Sequence, residues 1–539
     1  MKAFLSCAFL LVLAAPLLAS ASASDWRITK TSWSADDEQS YGNFVAALGA
    51  AVESRQCGRV DTCLSSSANP YHMSDPPNMQ FHADCAELPY LLRSYFAWKN
   101  GLPFSYVSAL KIRVMNGEEP GKDIRYTHYG NIVAGRTDIM PKKFIFITKW
   151  PDAVDFIDNK IPSSISSANF RMMGDDETSG ESDFYPVKLS PQGIRLGTMI
   201  YDPNGHVATI YKITPDGRIF YIDSHPDNSL TSGMYNPKFV RSNPYQGAGF
   251  KNFRPLTMTS DGIEAAPNSA LPDYSLEQYY GTKPDAGGDW TKGQFIANGK
   301  VMGYYDYLRV MMAGANFKEN PLDDMHAMLT DICTSIKDRV PSIADAIKDG
   351  IQNQAHPDRL PVNIYGTDGD WENYSTSARD ARLKVSYMDL LNQTKQLLTR
   401  AQAKDPSISY SGSNLAADLL KIYQSDSRAC QMTYVNTSGR SVTLNLEDVR
   451  QRLFDMSFDP YHCVELRWGA KDPQELASCQ QDANKEAWYT QERWLRYQWQ
   501  RSYDSRMDYS LAELTGPLPG AGIAQAPNVD IVGLLKAGH

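Results

Sequence analysis

The apolar positions of the first hundred residues recur at the spacing of amphipathic helices. From residue 35 to 54 they form one stripe, and Ser34, followed three residues later by Asp37, is typical of a capping box at a helix start. A second helical pattern runs from residue 87 to 99, where Gly101 follows as a stop signal. We therefore predict two helices in this region.

Between residues 104 and 253 the pattern changes to short β-branched and aromatic runs separated by turn residues. These runs predict strands at residues 142–150, 197–201, 206–213 and 218–222. The last two flank Thr-Pro-Asp-Gly, a turn sequence that favours a β-hairpin. Helices followed by antiparallel strands indicate an α+β domain, which we place at residues 24–258.

The rest of the chain is predicted to be mainly helical. Residues 259–299 are rich in Gly, Pro, Asp and Ser and are expected to form a connector. Residues 300–510 are expected to form a mainly α-helical C-terminal domain, and residues 511–539 a flexible tail. The predicted helices cover residues 321–340, 342–352, 383–403, 414–423, 446–454 and 473–507. Pro341 is expected to end the first of these helices.

The first 23 residues have the layout of a cleavable secretory signal peptide. Lys2 precedes an uncharged apolar run over residues 3–19, and small residues in Ala-Ser-Ala order follow it. No later run is long and apolar enough to span a bilayer, so we expect no transmembrane segment after signal removal. This layout predicts a periplasmic or secreted protein.

Composition narrows the classes of partner and cofactor. The net charge of −9 argues against a nucleic-acid partner, because such proteins present a basic face. The 30 tyrosines and 10 tryptophans indicate folded domains and not disorder. The sequence contains neither zinc-type ligand spacing nor a glycine-rich phosphate loop, so we expect no metal and no cofactor.

Export changes the interpretation of the cysteines, because an oxidising compartment favours disulfides. Eight cysteines are present, and loss of the signal peptide removes Cys7 and leaves an odd number. Proximity in the sequence favours the pairs Cys57–Cys63 and Cys463–Cys479. Cys333 and Cys430 both lie in the later helical region and are predicted to form the third pair, which leaves Cys85 over.

Cys85 has residues of matching chemistry farther along the chain. It precedes the second predicted helix, where the positive end of the helix dipole favours a thiolate. His206 follows Gly205 at the start of one strand of the predicted hairpin, and Asp223 ends the other strand, so the two side chains are predicted to be close. A thiol nucleophile needs such a set: a base to take its proton and a carboxylate to orient the imidazole.

These motifs resemble those of the papain-like cysteine peptidases of bacteria, and are most similar to the NlpC-type and CHAP-type cell-wall hydrolases. The resemblance is carried by Asp-Cys-Ala at residues 84–86 and Gly-His-Val-Ala at residues 205–208, and it covers about residues 60–255. It implies a papain-like N-terminal domain in which a helix packs on an antiparallel sheet.

The resemblance also implies roles for three residues. Cys85 is expected to be the nucleophile, His206 the base and Asp223 the residue that orients the imidazole. The implied reaction is cleavage of an amide bond through a thioacyl intermediate, with a peptide or peptidoglycan stem peptide as substrate. The chain departs from these families because Cys85 is followed by Ala-Glu-Leu-Pro and not by Ser-Gly, and because a longer segment separates it from His206.

Other interpretations of the same residues stay open. If Cys85 is a buried structural thiol, the chain is a non-catalytic exported binding protein on a papain-like scaffold. His225 is an alternative to Asp223 as the third member of the site. The step from His206 to Asp223 also suits transglutaminase-like sites, which transfer an acyl group to an amine. Glu87 either lines the site or favours the helix start.

Overall fold

The computed structural model describes residues 23–538, except 116, 118, 120, 144–147, 175–181, 242, 315, 365–368, 501 and 517–524. The predicted signal peptide thus lies outside the described residues, apart from its last position. The protein combines α-helices with antiparallel sheets, which agrees with the predicted α+β class. Among the described helices, none is both long enough and apolar enough to cross a bilayer.

The N-terminal region begins with α1 (Ala35–Glu53), α2 (Val60–Leu64) and α3 (Glu87–Asn100), of which α1 and α3 are the two predicted helices. Two short helices, α4 (Ala153–Asp155) and α5 (Ile161–Ser164), come later in the region. The predicted capping box is present, because Ser34 Oγ accepts from the Asp37 N–H and the Asp37 carboxylate accepts from the Ser34 N–H. Gly101 ends α3 in a left-handed conformation with φ of 65°.

Two small hairpins precede the main sheet. They are formed by β1 (Ser105–Ile112) with β2 (Asn131–Asp138), and by β3 (Lys142–Lys143) with β4 (Thr148–Lys149). The prediction of one strand over residues 142–150 was wrong, because Lys142 and Lys149 belong to two strands that pair antiparallel; residues 144–147 of this prediction lie outside the described residues. The sequence between the two strands carries no turn residue that would have signalled two strands.

The largest sheet has six strands. They are β5 (Phe184–Pro186), β6 (Met199–Asp202), β7 (His206–Ile213), β8 (Ile219–Ser224), β9 (Leu230–Met234) and β10 (Gly249–Phe253). Their spatial order is β5-β10-β6-β7-β8-β9, with every neighbouring pair antiparallel. The predicted hairpin is β7 with β8, and Gly217 in its turn has φ of 82°, a conformation that glycine adopts without strain.

The expected connector, residues 259–299, contains regular structure: β12 (Ile263–Ala265), α6 (Glu277–Tyr280) and β13 (Phe295–Ala297). It is preceded by β11 (Leu256–Met258) and followed by β14 (Lys300–Met302) and α7 (Tyr304–Ala313). The paired strands are β11 with β12 and β13 with β14. Phe295 is buried with Tyr307 of α7 against the six-stranded sheet, so this segment covers one face of the sheet.

Both faces of the six-stranded sheet are buried. Along β7, Val207 and Tyr211 belong to the core under α1 and α3, whereas Ala208 and Ile210 belong to the core under α7. The alternation follows from the two-residue period of a strand. Gly49 of α1 lies so close to this strand that an added Cβ would fall 2.1 Å from the Tyr211 ring.

The C-terminal region is mainly helical. Its elements are α8 (Pro321–Lys348), α9 (Gly369–Tyr374), α10 (Ser377–Gln402), α11 (Leu415–Ala429), β15 (Gln431–Val435), β16 (Ser441–Asn445), α12 (Leu446–Arg452), α13 (Val464–Arg467), α14 (Pro473–Leu476), α15 (Ala483–Gln491), α16 (Arg493–Arg496), α17 (Leu511–Thr515) and α18 (Ile531–Ala537). A buried core joins α8, α10, α11, α12 and α18.

Two helix predictions for this region were wrong. Pro341 does not end the first helix but lies inside α8, where buried Ile336 and Ile343 keep both sides packed. The long helix predicted over residues 473–507 is replaced by α14, α15 and α16, because the Asp482 carboxylate starts a new helix by accepting from a backbone N–H.

The expected flexible tail is partly ordered. α18 inserts Ile531 and Leu535, which are four residues apart on one helix face, into the core formed by α10 and α11. Short apolar pairs of this kind are easily overlooked beside a Gly- and Pro-rich segment. Residues 517–524 of the predicted tail lie outside the described residues.

Candidate functional site

Cys85 lies in the turn just before α3, two residues ahead of its first residue, and its neighbours cap the start of that helix. Asp84 Oδ1 accepts from the N–H groups of Ala86 and Glu87 at 2.8 and 2.9 Å, and the Asp84 carbonyl accepts from the Leu88 N–H at 3.0 Å. The Glu87 carboxylate in turn accepts from the Asp84 N–H at 2.8 Å. This reciprocal capping fixes the backbone that carries the thiol.

The segment before Cys85 is attached to the end of β8. The Ala83 N–H donates to Asn228 Oδ1 at 3.2 Å, and the Ser224 hydroxyl donates to the Ala83 carbonyl. Asn228 Nδ2 also donates to the Phe81 carbonyl at 3.3 Å. These bonds join parts of the chain that are far apart in sequence, and they set the position of the thiol relative to the hairpin.

His206 and Asp223 form a buried hydrogen-bonded pair. His206 Nε2 lies 2.7 Å from Asp223 Oδ2, and the Thr231 hydroxyl donates to Asp223 Oδ1. A carboxylate only accepts, so the Nε2 of His206 carries the hydrogen and its Nδ1 keeps a lone pair. The two residues are only 6% and 4% exposed, which protects this arrangement from water.

His225 occupies a neighbouring position with different contacts. Its ring lies nearly parallel to that of His206, with centroids 6.1 Å apart. His225 Nε2 is 3.1 Å from Thr231 Oγ1 and 3.9 Å from Asp223 Oδ2. Burial and the nearby charge of Arg379 lower the pKa of His225 to about 3. Asp223, and not His225, therefore contacts the His206 ring nitrogen.

Cys85 and His206 line one cleft between the six-stranded sheet and the helical region. The Cys85 sulfur is 3.9 Å from the carbonyl oxygen of Gly205, the residue that precedes the histidine. The ring of Tyr126 lies against Gly205, where an added Cβ would be 3.1 Å from it. The remaining walls come from both halves of the chain.

The helical region supplies two arginines to this cleft. Arg379 and Arg382 lie three residues apart on α10, so they project from the same helix face. Arg379 is held 3.7 Å from Asp227 and 3.4 Å from the Ser229 hydroxyl, both just beyond the end of β8. Trp371 of α9 lines the same cleft. The site is thus shared by the α+β region and the helical region.

Comparison with known proteins does not extend these observations. The chain matches no known protein family, no curated protein and no solved structure. The functional conclusion therefore depends on the chemistry and geometry of the site itself.

Burial controls the protonation of the three central groups. Burial and the charge of Asp84 raise the pKa of the Cys85 thiol, which contradicts the expected stabilisation of a thiolate by the helix dipole. Burial and the charge of Arg382 lower the pKa of His206. Burial alone would raise the pKa of Asp223, but the hydrogen bond from His206 holds the pKa of this carboxyl below its usual range. At neutral pH the site therefore contains a neutral thiol, a neutral imidazole and a carboxylate.

The acidic side chains beside the thiol are also perturbed. Burial and the charge of Asp84 raise the pKa of Glu87 to about 8, and burial raises the pKa of Asp84. Glu87 therefore carries a proton for most of the time at neutral pH. Its protonation limits the negative charge beside Cys85, which would otherwise oppose thiolate formation further.

The cysteine predictions were confirmed. Among the described cysteines, Cys85 is the one outside a disulfide. The three bonds join the predicted partners: Cys57 with Cys63, Cys333 with Cys430, and Cys463 with Cys479.

Several contributors to the site were not predicted from the sequence. Arg379 and Arg382 lie on a helix that looks like an ordinary amphipathic helix, and Thr231 has no motif around it. The only available signal was a pair of arginines at helical spacing, which is common on solvated helices.

The structure also brings together possible metal ligands. The described residues hold two groups at ligand distance, one of which contains Cys463 and Cys479 and is already used by their disulfide. The other consists of His356, Asp459 and Glu492. Its members come from three distant segments, so no sequence spacing could have indicated it.

Proposed function

We propose that this protein is an exported thiol hydrolase with a papain-like N-terminal domain. In this proposal Cys85 is the nucleophile, His206 is the general base and Asp223 orients the imidazole. The observation that carries it is that the one cysteine described outside a disulfide lines the same cleft as His206, whose ring is hydrogen-bonded to Asp223 behind it.

The arrangement of hydrogen bonds supports a specific sequence of proton transfers. As the Cys85 sulfur attacks a substrate carbonyl, its proton passes to the free Nδ1 of His206, and Asp223 stabilises the resulting imidazolium. His206 then gives this proton to the departing amine, leaving a thioacyl bond on the sulfur. Water, deprotonated by His206, cleaves that bond and restores the thiol. Because the thiol is neutral at rest, proton transfer accompanies the attack and does not precede it.

The lining of the cleft supports a polar substrate. Apart from Trp371, Ile364 and a few small residues, the described walls consist of polar and charged side chains. A peptide is the substrate class that fits the thiol chemistry, and the resemblance to cell-wall hydrolases favours peptidoglycan stem peptides. The helical region contributes to substrate binding through Arg379 and Arg382.

The test uses the full chain with purified peptidoglycan and, separately, with soluble muropeptides. New amino groups and product masses are measured for the wild type, Cys85→Ala and His206→Ala. His326→Ala, which removes an exposed histidine paired with Asp426, serves as the matched control. We expect both site variants to lose at least about 10³-fold in rate and the control to keep full activity. Full activity of Cys85→Ala would refute the proposal.

A second candidate is a non-catalytic binding protein on the same scaffold. The raised pKa of the half-buried Cys85 thiol favours it, because a structural thiol is also neutral and slow to react. A peptide chloromethyl ketone separates the two candidates. A hydrolase is labelled at Cys85 only when His206 is intact, whereas an inert thiol is labelled equally slowly in the wild type and in His206→Ala. Product that forms only after an amine is added would indicate acyl transfer.

A further inference from the structure

A second polar cluster is buried in the helical region, away from the thiol cleft. His356 lies in the loop after α8, Asp459 in the loop before α13, and Glu492 at the end of α15. The side chains of all three are 0% exposed. One nitrogen and two carboxylate oxygens of this cluster lie within 4.8 Å of one another.

Glu492 is fully buried beside the Asp459 carboxylate. Within the described part of the chain, no N–H group lies at hydrogen-bond distance from its Oε1 or Oε2. The Arg496 guanidinium is 3.8 Å from Oε2, but its Nη1 donates to the Tyr489 carbonyl at 2.6 Å. A buried carboxylate without donors costs several kcal/mol, so a positively charged partner at this point is strongly favoured.

His356 is oriented as metal-binding histidines are. Its Nδ1 donates to the Pro357 carbonyl oxygen at 2.6 Å, and its Nε2 lies 3.0 Å from Asp459 Oδ2. Trp488 stacks on the ring with centroids 4.2 Å apart, which fixes its plane. A backbone carbonyl on the second ring nitrogen is the usual support of a histidine ligand.

The distances fit an ion between these atoms. Two donors that each lie about 2.1 Å from one metal ion are about 3.4 Å apart at the tetrahedral angle of zinc and about 3.0 Å apart at a right angle. His356 Nε2 and Asp459 Oδ2 are 3.0 Å apart, so a tetrahedral zinc needs them to separate by about 0.4 Å. Asp459 is itself held by the Tyr461 N–H, which donates to Oδ1 at 2.8 Å.

We propose that His356, Asp459 and Glu492 bind one divalent transition-metal ion, with Zn²⁺ as the best match to one imidazole and two carboxylates. Both oxygens of Glu492 are available, so the cluster offers four donor atoms. His462 is not a ligand, because its Nδ1 accepts from Ser457 and its Nε2 donates to a backbone carbonyl. The ion joins three segments that no disulfide connects directly, so its role is structural.

The test measures metal content and metal-dependent stability of the full chain, purified without a metal-affinity step. We expect about one zinc per chain by mass spectrometry of the metal content, removable by a strong chelator. Returning Zn²⁺ to the chelated protein should raise its midpoint of thermal unfolding by roughly 2 °C or more. Mn²⁺ forms a parallel arm, since it suits carboxylate donors.

Glu492→Gln keeps the shape of the side chain and removes the charge. We expect this variant to lose at least about 100-fold in zinc affinity, whatever its own stability. His326→Ala is the matched control, because it removes a histidine that pairs with a carboxylate at the surface and not in the buried cluster. A wild type without metal that does not respond to either ion, or an unchanged response in Glu492→Gln, would overturn the proposal and mean that Glu492 holds a proton.

Discussion

Replacing Asp223 by asparagine tests the proposed catalysis most directly. The side chain keeps its volume but loses the charge that faces His206 Nε2 at 2.7 Å. Two unit charges at that distance interact by about 6 kcal/mol at an effective dielectric constant near 20. The neutral hydrogen bond that an amide retains is worth about 1 kcal/mol.

The expected loss of transition-state stabilisation is therefore about 4–5 kcal/mol. At about 1.4 kcal/mol for each tenfold change, kcat/KM should fall by roughly 10³-fold to 10⁴-fold at neutral pH. A second effect acts in the same direction. If the amide nitrogen faces His206, the hydrogen moves to Nδ1, and the ring can no longer accept the proton of Cys85.

The assay is the initial rate of amide cleavage under conditions in which substrate is far below KM. Asp216→Asn is the matched control, because it makes the same substitution at the other end of the same hairpin, where Asp216 contacts Arg218 and Arg309. We expect the control to retain kcat/KM within about twofold. A folded Asp223→Asn protein that loses less than about tenfold would refute the assignment of Asp223.

Three further predictions concern electrostatics and packing. In Arg382→Met, the pKa of His206 should rise toward its usual value, so the acid limb of the pH profile of kcat/KM should move to higher pH. An unmoved limb would contradict the conclusion that the charge of Arg382 lowers this pKa. Replacing both Cys333 and Cys430 by alanine should cost about 4–5 kcal/mol in denaturant unfolding, because that disulfide closes a loop of 97 residues, and a loss below about 1 kcal/mol would contradict this. Gly49→Ala should lower the free energy of unfolding by about 1–3 kcal/mol, because the added Cβ would be 2.1 Å from a tyrosine ring of β7. Alanine normally stabilises a helix, so a stabilised variant would show that α1 can move away from β7.

The parts of the fold that the sequence could predict are those with local signals. The capping box of Ser34 and Asp37 and the Thr-Pro-Asp-Gly turn act within a few residues, so α1 and the β7–β8 hairpin were found. That hairpin, in which Thr209 pairs with Ile222, brings His206 and Asp223 near each other as diagonal neighbours on one face of the sheet, so their proximity could be predicted but not their 2.7 Å contact.

The features that could not be predicted depend on packing between distant segments. Pro341 is a helix breaker by its local chemistry, but buried residues on both sides of it keep α8 continuous. The pKa of the Cys85 thiol is raised because other segments bury it, an effect that a helix-dipole argument cannot include. The arginines of α10 reach the cleft only through the tertiary arrangement of the two regions.

The sharing of the cleft between both halves of the chain has a consequence for biosynthesis. A nascent chain that has reached residue 258 already contains Cys85, His206 and Asp223, but none of α10. Its thiol lacks the wall provided by Arg379 and Arg382 and is close in sequence to the two cysteines of the first disulfide. Order of emergence favours correct oxidation, because those two cysteines precede Cys85 and are only six residues apart. Completion of the cleft is thus a late event, reached only when the helical region has folded.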